Sequence, residues 1–355
     1  MNFSPGPAVL PLEVLERARE DFTDWRGSGM SVMEISHRSK AFLQVAKEAE
    51  QDFRDLLSVP ANYQILFLQG GASAQFSVVP MNLARPDSTV DYVHTGHWSH
   101  KAMTEAARYS RVHLAGDAGG NYSRVPPQAQ LRLSADAAYC HYTPNETISG
   151  VEFGYVPDTA RVPLVADMSS SILSQPLDVS RFGLIYAGAQ KNIGPAGLTL
   201  AVVRDDLMGA ARPETPRVFD YKLVAENQSM LNTPPTFAWY MAGLVFKWLK
   251  TLGGMSVVGE RNRIKAQTLY AAIDASGLYH NDIALDSRSR MNVTFTLFDQ
   301  RLESAFLDEA SAAGLQGLKG HRAQGGLRAS IYNALPLESV QALIAFMKEF
   351  ERRHG

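Results

Sequence analysis

The stretch Leu184-Ile-Tyr-Ala-Gly-Ala-Gln-Lys-Asn-Ile-Gly-Pro-Ala-Gly-Leu198 sets a single lysine, Lys191, between a short apolar run and a turn rich in glycine and proline. Residues 184–187 predict a buried strand, and residues 188–197 predict the loop that leaves it. A lysine at the end of a buried strand must be desolvated or paired, and desolvation lowers its pKa. Such a lysine can act as a nucleophile toward carbonyl groups. A solvated lysine in a surface loop is the alternative that this stretch alone leaves open.

Composition limits the classes of protein that the chain can represent. Its 355 residues suffice for a large core and favour two domains over one. Lys and Arg total 34 against 36 Asp and Glu, so the chain has no general attraction to nucleic acid or membranes. Cys140 is the only cysteine, which excludes an internal disulfide and favours a reducing compartment. Because we find neither a signal-peptide pattern nor an apolar run long enough for a bilayer, we expect a cytoplasmic protein.

Apolar strand candidates alternate with helices and turns in the first part of the chain. This alternation predicts an α/β fold, a mostly parallel sheet with helices on both faces. Only a short loop separates the last two strand candidates, residues 184–187 and 198–204, which predicts that these two strands run antiparallel. The predicted strands are residues 64–68, 89–93, 137–142, 162–166, 184–187 and 198–204.

Residues suited to ligand binding follow several of these strands. The glycine turn at Gly70 precedes a helix, which points free backbone N–H groups at an anion, although it is neither a Walker loop nor a dinucleotide fingerprint. Taken singly, Trp98 fits a core position and Asp167 fits a helix N-cap. Ligands of parallel sheets collect beyond the carboxyl ends of the strands. We therefore expect Gly70, Trp98, Thr147, Asp167 and Lys191 to meet at one edge, which argues against a solvated lysine.

The pattern of elements changes near residue 254. Before it, Ser39 is predicted to cap a long helix with Phe42 and Phe53 on its apolar face, and an earlier helix carries Leu15 and Phe22 on its own apolar face. After it, short strands and helices alternate as in a smaller α+β domain. The predicted organisation is an N-terminal arm at 1–15, a large domain at 16–254 and a small C-terminal domain at 255–355.

A cofactor that captures amines through a carbonyl group needs five contacts. These are a lysine, an acid facing a ring nitrogen, a planar group over the ring, N–H groups for a phosphate and an anchor for the substrate carboxylate. Pyridoxal phosphate enzymes use this set. Lys191 can form the covalent link, and Asp167 can keep a ring nitrogen protonated because a nearby carboxylate favours the charged form.

The sequence resembles the phosphoserine aminotransferases, a class V family among the fold-type I pyridoxal phosphate enzymes. The resemblance implies a large domain with a mostly parallel seven-stranded sheet flanked by helices, and a smaller C-terminal α+β domain. Its segments run in order over nearly the whole chain. They are Phe3-Ser-Pro-Gly-Pro7, Ser36-His-Arg-Ser-Lys40, Gln69-Gly-Gly-Ala-Ser-Ala-Gln-Phe76, Pro144-Asn-Glu-Thr-Ile148, Asp167-Met-Ser-Ser170, Tyr186 to Gly197, Asn232-Thr-Pro-Pro-Thr-Phe-Ala238 and Gly320 to Ala334.

The resemblance also implies roles for individual residues. Lys191 carries the cofactor and moves a proton, while Asp167 pairs with the ring nitrogen. Asn232 and Thr233 reach the cofactor phosphate of a neighbouring subunit, which implies a homodimer with shared sites; no metal is expected. Besides these four, the implied cofactor contacts are Ala72, Ser73, Trp98, Thr147 and Gln190, and the implied substrate contacts are Ser4, His37, Arg38, His321, Arg322 and Arg328.

One departure concerns Ser73, since some relatives have an arginine in that glycine turn. We expect backbone N–H groups and the serine hydroxyl to serve instead.

The activity that the resemblance implies is amino transfer from glutamate to 3-phosphooxypyruvate, giving O-phosphoserine and 2-oxoglutarate, and action on 4-phosphohydroxythreonine as well. A mixed Arg/His cluster suits both a distal carboxylate and a distal phosphate. Alanine–glyoxylate transamination is the nearest alternative, whereas cysteine desulfuration would need a mobile cysteine and Cys140 lies in a predicted strand. A non-catalytic cofactor-binding protein is the alternative from another class, and the presence of both Lys191 and Asp167 argues against it.

Overall fold

The computed structural model describes residues 1–355 and contains twelve strands in three sheets. The strands are β1 (Tyr63–Leu68), β2 (Thr89–His94), β3 (Arg111–Asp117), β4 (Cys140–Tyr142), β5 (Asn145–Glu146), β6 (Val151–Glu152), β7 (Leu164–Asp167), β8 (Leu184–Gly188), β9 (Thr199–Arg204), β10 (Tyr279–His280), β11 (Asn292–Leu297) and β12 (Leu327–Ser330).

Nine α-helices surround these sheets, and none is both long and apolar enough to cross a membrane. They are α1 (Leu12–Asp21), α2 (Lys40–Leu57), α3 (Gly71–Leu83), α4 (His97–Ala106), α5 (Tyr221–Glu226), α6 (Thr236–Thr251), α7 (Gly254–Asp274), α8 (Glu303–Ala312) and α9 (Leu337–His354).

The central sheet has seven strands in the order β1-β9-β8-β7-β4-β2-β3. Only β9 runs antiparallel to its neighbours β1 and β8, while the remaining pairs are parallel. The prediction of an α/β fold with a mostly parallel seven-stranded sheet is confirmed, as is the antiparallel return of β9. The edge strand β3 was not predicted, because Arg111, His113 and Asp117 leave its sequence without a continuous apolar run.

Both faces of the central sheet are covered by helices. On one face, Trp239 of α6 stacks on Phe67 of β1 with ring centroids 4.2 Å apart, and Phe53 of α2 packs on Phe246 of α6. Helices α3, α4 and α5 cover the other face in a second apolar cluster. Ser39 caps α2 by accepting a hydrogen bond from the Phe42 N–H at 3.2 Å, as predicted.

The C-terminal part of the chain forms a three-stranded antiparallel sheet, in the order β10-β11-β12, with its own apolar cluster. Helix α7 begins at Gly254, next to the predicted boundary, but the division into three segments stays a prediction. A buried polar contact joins this part to the larger one. The Asn145 side-chain amide donates to Asn292 Oδ1 at 2.9 Å, and the Ser289 hydroxyl donates to Asn145 Oδ1 at 2.5 Å.

Residues 1–8, which we call the N-terminal strap, connect the C-terminal part to the loop that carries Lys191. The Phe3 N–H donates to the Gln316 carbonyl at 2.8 Å, and the Ser330 N–H donates to the Phe3 carbonyl at 3.1 Å. Farther along, the Ala8 N–H donates to the Gln190 carbonyl at 2.9 Å. The Phe3 side chain is fully buried in the C-terminal apolar cluster. The strap is therefore part of the fold, although it lies at the start of the sequence.

We expect Phe3→Ala to lower the free energy of unfolding by about 3 kcal/mol, because it removes a buried ring and leaves a cavity. Urea denaturation followed by far-ultraviolet circular dichroism measures this change. Phe298→Ala is the matched control, since that phenylalanine is 64% exposed and its loss should cost less than about 0.5 kcal/mol. Equal destabilisation by the two variants would contradict the docking of the strap.

Candidate active site

Lys191 lies three residues beyond the end of β8 and is buried. Its amine Nζ donates a hydrogen bond to Thr147 Oγ1 at 2.6 Å. Burial lowers the pKa of the Lys191 amine to about 8, against the opposing charges of Asp167 and Glu146. The alternative of a solvated surface lysine is wrong. A partly deprotonated amine near neutral pH is what a nucleophile requires.

A cavity of about 280 Å³ opens beside this amine at the carboxyl edge of the central sheet. Nine of the predicted site residues line this cavity together with Gly71 of the predicted glycine turn, so the structure brings them together. They are Gly71, Ala72, Ser73, Trp98, Thr147, Asp167, Gln190, Lys191, His321 and Arg328.

Asp167 is the last residue of β7 and is buried. Ser169 donates to Asp167 Oδ1 through its N–H at 3.0 Å and its hydroxyl at 2.6 Å. Burial raises the pKa of the Asp167 carboxyl, while the Ser169 hydrogen bonds and the charge of Lys191 lower it. No protein group donates to Oδ2, so this oxygen can pair with a cationic group in the cavity.

The N-terminus of α3 supplies backbone N–H groups on another side of the cavity. Gly70 has φ +94°, and no side chain caps the first turn, so its N–H groups have no partner within the helix. A side chain at Gly188 would come within 2.8 Å of Gln190 Oε1 and 3.4 Å of the Ala72 nitrogen. Glycine at 188 therefore keeps this space open, and the free N–H groups suit an anion.

Trp98, the second residue of α4, faces the same space. Its ring centroid lies 5.9 Å from Lys191 Nζ, and its indole Nε1 is buried without a hydrogen-bond partner. A planar ligand joined to the lysine amine would lie close to this indole.

Two basic side chains, those of Arg328 and His321, complete the lining. Arg328 of β12 is buried, donates from Nη1 to the Thr147 carbonyl at 3.1 Å, and has no partner for Nε. Burial lowers the pKa of its guanidinium. Burial also lowers the pKa of His321, as does the positive charge of Arg328. A buried guanidinium without a facing carboxylate, next to an imidazole that can donate a hydrogen bond, is suited to an anionic substrate.

Six of the predicted site residues do not line this cavity: Ser4, His37, Arg38, Asn232, Thr233 and Arg322. Ser4 belongs to the strap next to the lining residue Pro5, and Arg322 is an exposed neighbour of His321. Arg38, Asn232 and Thr233 are exposed, and Arg38 Nε lies 3.3 Å from His37 Nε2. Their roles in binding, like those of the lining residues, stay predictions.

Sequence reasoning assigned no role to Glu146, although the quoted segment 144–148 contains it. Glu146 is fully buried and accepts hydrogen bonds from the Trp98 and Ser99 N–H groups at 3.0 and 2.8 Å. Trp98 and Ser99 lie 48 and 47 residues before Glu146, so the sequence does not reveal these contacts. The only feature that could have indicated a role for Glu146 is its position next to Thr147.

Comparisons with known proteins agree with this geometry. The profile of the family described as aminotransferase class-V matches residues 1–343. The phosphoserine aminotransferase of Azotobacter vinelandii is 57% identical over 355 residues, covering 100% of this chain and 98% of that protein. The structure of phosphoserine aminotransferase from Bacillus circulans subsp. alkalophilus is 48% identical with a TM-score of 0.98, covering 100% of this chain and 99% of that one. A structure of pyridoxal phosphate-bound phosphoserine aminotransferase from Trichomonas vaginalis is 44% identical with a TM-score of 0.94, covering 98% and 99%.

The chain belongs to the class-V aminotransferase family. Within that family, the three relatives described above, which are 44 to 57% identical to this chain, carry the name phosphoserine aminotransferase. The resemblance found in the sequence is confirmed, and with it the assignment to the aminotransferases, a class of enzymes.

We expect the Lys191 amine of the cofactor-free protein to titrate near its pKa of about 8, and Asp167→Asn to move that midpoint to lower pH. The direction follows because a nearby negative charge favours the protonated amine, and the substitution removes that charge. The pH dependence of Lys191 labelling by a small aldehyde and a reductant, read by mass spectrometry, measures the midpoint. Asp282→Asn, which neutralises an exposed carboxylate, is the control and should leave the titration midpoint of Lys191 unchanged. An unshifted midpoint in Asp167→Asn would contradict the effect of the Asp167 charge on the pKa of Lys191.

Proposed function

We propose that the chain is a pyridoxal phosphate-dependent aminotransferase that moves the amino group of glutamate to 3-phosphooxypyruvate, giving O-phosphoserine and 2-oxoglutarate. We further propose that it accepts 4-phosphohydroxythreonine. The observation that carries the proposal is the cavity in which the buried amine of Lys191 meets Asp167, the free N–H groups of α3 and the cation of Arg328. The names of the relatives support the same substrate class.

The residues of this cavity fit pyridoxal phosphate. The uncapped N-terminus of α3 suits the phosphate, with Ala72, Ser73 and Gln190 beside it. The free oxygen of Asp167 suits a protonated ring nitrogen, and Trp98 offers a planar surface near Lys191. When bound, the cofactor supplies an electron sink for the negative charge that develops at the substrate α-carbon.

The chain's own residues bind the substrate and move the proton. Arg328, whose Nε lacks a partner, can hold the α-carboxylate, because a guanidinium binds carboxylates through two parallel hydrogen bonds. Lys191 can take a proton from the α-carbon and return it, since an amine with a pKa of about 8 both accepts and donates near neutral pH. Thr147 orients that amine through the 2.6 Å hydrogen bond.

The distal end of the substrate is proposed to meet the Arg/His cluster. His321 lines the cavity next to Arg322, and its pKa is lowered by burial and by the positive charges of Arg328, Arg322 and Lys101. A cationic opening favours a dianionic phosphate over the uncharged side chain of alanine. We propose that Ser4, His37 and Arg38 add to this binding.

Cys140 supports the choice among related activities. It begins the interior strand β4 of the central sheet with no exposed surface, and burial raises the pKa of its thiol. A buried, protonated thiol is a poor nucleophile, which disfavours cysteine desulfuration. An unpaired thiol is also consistent with a cytoplasmic location, which we propose.

We propose that two copies form a homodimer with shared sites. Part of the apolar surface at α1 is not covered within the chain, because Leu15 and Phe22, the residue that follows α1, are 43% and 45% exposed. They line an open groove with Leu10, Phe237 and Met241. Phe237 belongs to the start of α6, five residues after Asn232. Burying this groove against a second copy would remove apolar surface from water and keep the exposed Asn232 and Thr233 close to the dimer contact.

Glutamate is expected to abolish the visible absorption of the bound cofactor in the purified enzyme, and 3-phosphooxypyruvate to restore it. The visible band should be absent in Lys191→Ala, which cannot form the covalent link. Stopped-flow spectroscopy with 3-phosphooxypyruvate, pyruvate and glyoxylate measures the preference. Faster restoration by pyruvate or glyoxylate would favour alanine–glyoxylate transamination, and a native protein that takes up no cofactor would refute the proposal.

Phe22→Asp should shift the protein from dimer to monomer, because a buried, unpaired charge at an apolar interface is costly. Sedimentation velocity at several protein concentrations measures the change. Leu285→Asp is the matched control, since Leu285 is 79% exposed and lies outside this groove. Retention of the dimer by Phe22→Asp would exclude the α1 face as the interface.

A further inference from the structure

Glu146 is a fully buried carboxylate that accepts three hydrogen bonds. Its Oε2 accepts from the Trp98 N–H at 3.0 Å. Its Oε1 accepts from the Ser99 N–H at 2.8 Å and the Ser99 hydroxyl at 2.7 Å. These N–H groups belong to the first turn of α4, where a negative charge is favourable because of the helix dipole.

Three hydrogen bonds to the carboxylate oxygens of Glu146 stabilise its ionised form against the cost of burial. Ser99 Oγ accepts the Thr95 and Gly96 N–H groups at 2.9 and 3.0 Å, so its own hydrogen remains available for Glu146. Burial raises the pKa of the Glu146 carboxyl above its usual value, as does the charge of Asp167, while the hydrogen bonds from Ser99 and Trp98 oppose that rise. A side chain at Gly96 would come within 2.6 Å of Glu146 Cδ, so glycine is required for the carboxylate to fit.

Glu146 is connected to the cavity in two ways. Through α4, it fixes the backbone of Trp98, whose indole faces Lys191. Along the chain, it precedes Thr147, whose Oγ1 holds the Lys191 amine. Its charge also raises the pKa of Lys191, together with Asp167 and against Arg328 and burial.

We propose that Glu146 is a positioning residue for amino transfer, which holds the Trp98 indole over the cofactor ring and provides a second buried negative charge beside Lys191. This inference rests on the proposed function. A neutral N-cap such as serine or asparagine would satisfy the same N–H groups without the cost of burying a charge. The site therefore contains a charge that capping alone does not require.

The test compares Glu146→Gln with the matched control Asp91→Asn. Glutamine keeps the shape and one acceptor oxygen but removes the charge. Asp91 is also fully buried and also accepts the N–H and hydroxyl of one serine, Ser134, at 2.7 and 2.8 Å, but it does not line the cavity.

Two properties of the enzyme and its cofactor are measured in the absence of substrate. The first is the pH midpoint of the visible absorption band, which should move to lower pH in Glu146→Gln because a negative charge beside Lys191 is lost. The second is the dissociation constant of pyridoxal phosphate, which should rise roughly tenfold as Trp98 loses a charged hydrogen bond. Asp91→Asn should change neither property.

Ser99→Ala separates the two roles and covers the case in which Glu146→Gln does not fold. It removes one donor and keeps the charge, so it should weaken cofactor binding and leave the pH midpoint unchanged. A midpoint in Glu146→Gln equal to that of the wild type, or cofactor binding in Ser99→Ala equal to that of the wild type, overturns the inference. A wild-type protein that binds no pyridoxal phosphate overturns the proposed function itself, and is recognised before any variant is compared.

Discussion

The burial of one ammonium group, that of Lys191, is the constraint on which the site depends. Removing such a group from water costs several kcal/mol unless hydrogen bonds and opposite charges offset it. Thr147 supplies the hydrogen bond, and Asp167 and Glu146 supply the charges. The result is an amine with a pKa of about 8, neither fully charged nor freely solvated. The parallel sheet makes this possible, because the strands or turns that carry these groups end at the same edge.

The substrate side of the cavity comes from other parts of the chain. Arg328 lies on β12 of the C-terminal sheet, yet its guanidinium bonds the carbonyl of Thr147 in the larger part. The buried contact between Asn145 and Asn292 fixes the same two parts a few residues away. Buried hydrogen bonds thus fix the position of Arg328, the proposed substrate anchor, relative to Lys191, the proposed cofactor anchor. Such bonds keep the geometry of a site constant through repeated turnover.

Much of this arrangement could be predicted from the sequence, and the exceptions share a physical cause. Periodicity and turn residues predicted the strands that end at Asp167 and near Lys191, because parallel strands bring their ends to one edge. Glu146 was missed since its partners are distant in sequence, and the docking of Phe3 was missed for the same reason. The helical spacing of Leu15 and Phe22 identified an apolar face correctly, but spacing cannot tell whether that face is covered by the same chain.

The N-terminal strap has a consequence for how the protein is made. The Met1 ammonium donates to the Gly314 carbonyl, 313 residues away, and Phe3 bonds Gln316 and Ser330. On a ribosome, Phe3 therefore emerges long before Gln316 and Ser330, and it cannot make these hydrogen bonds until those residues have been synthesised. Contacts this distant in sequence form slowly, because the closing loop is long. The cavity wall at Pro5 and Gly6 belongs to the same strap, so a nascent chain cannot hold a finished site before Ser330 has been synthesised.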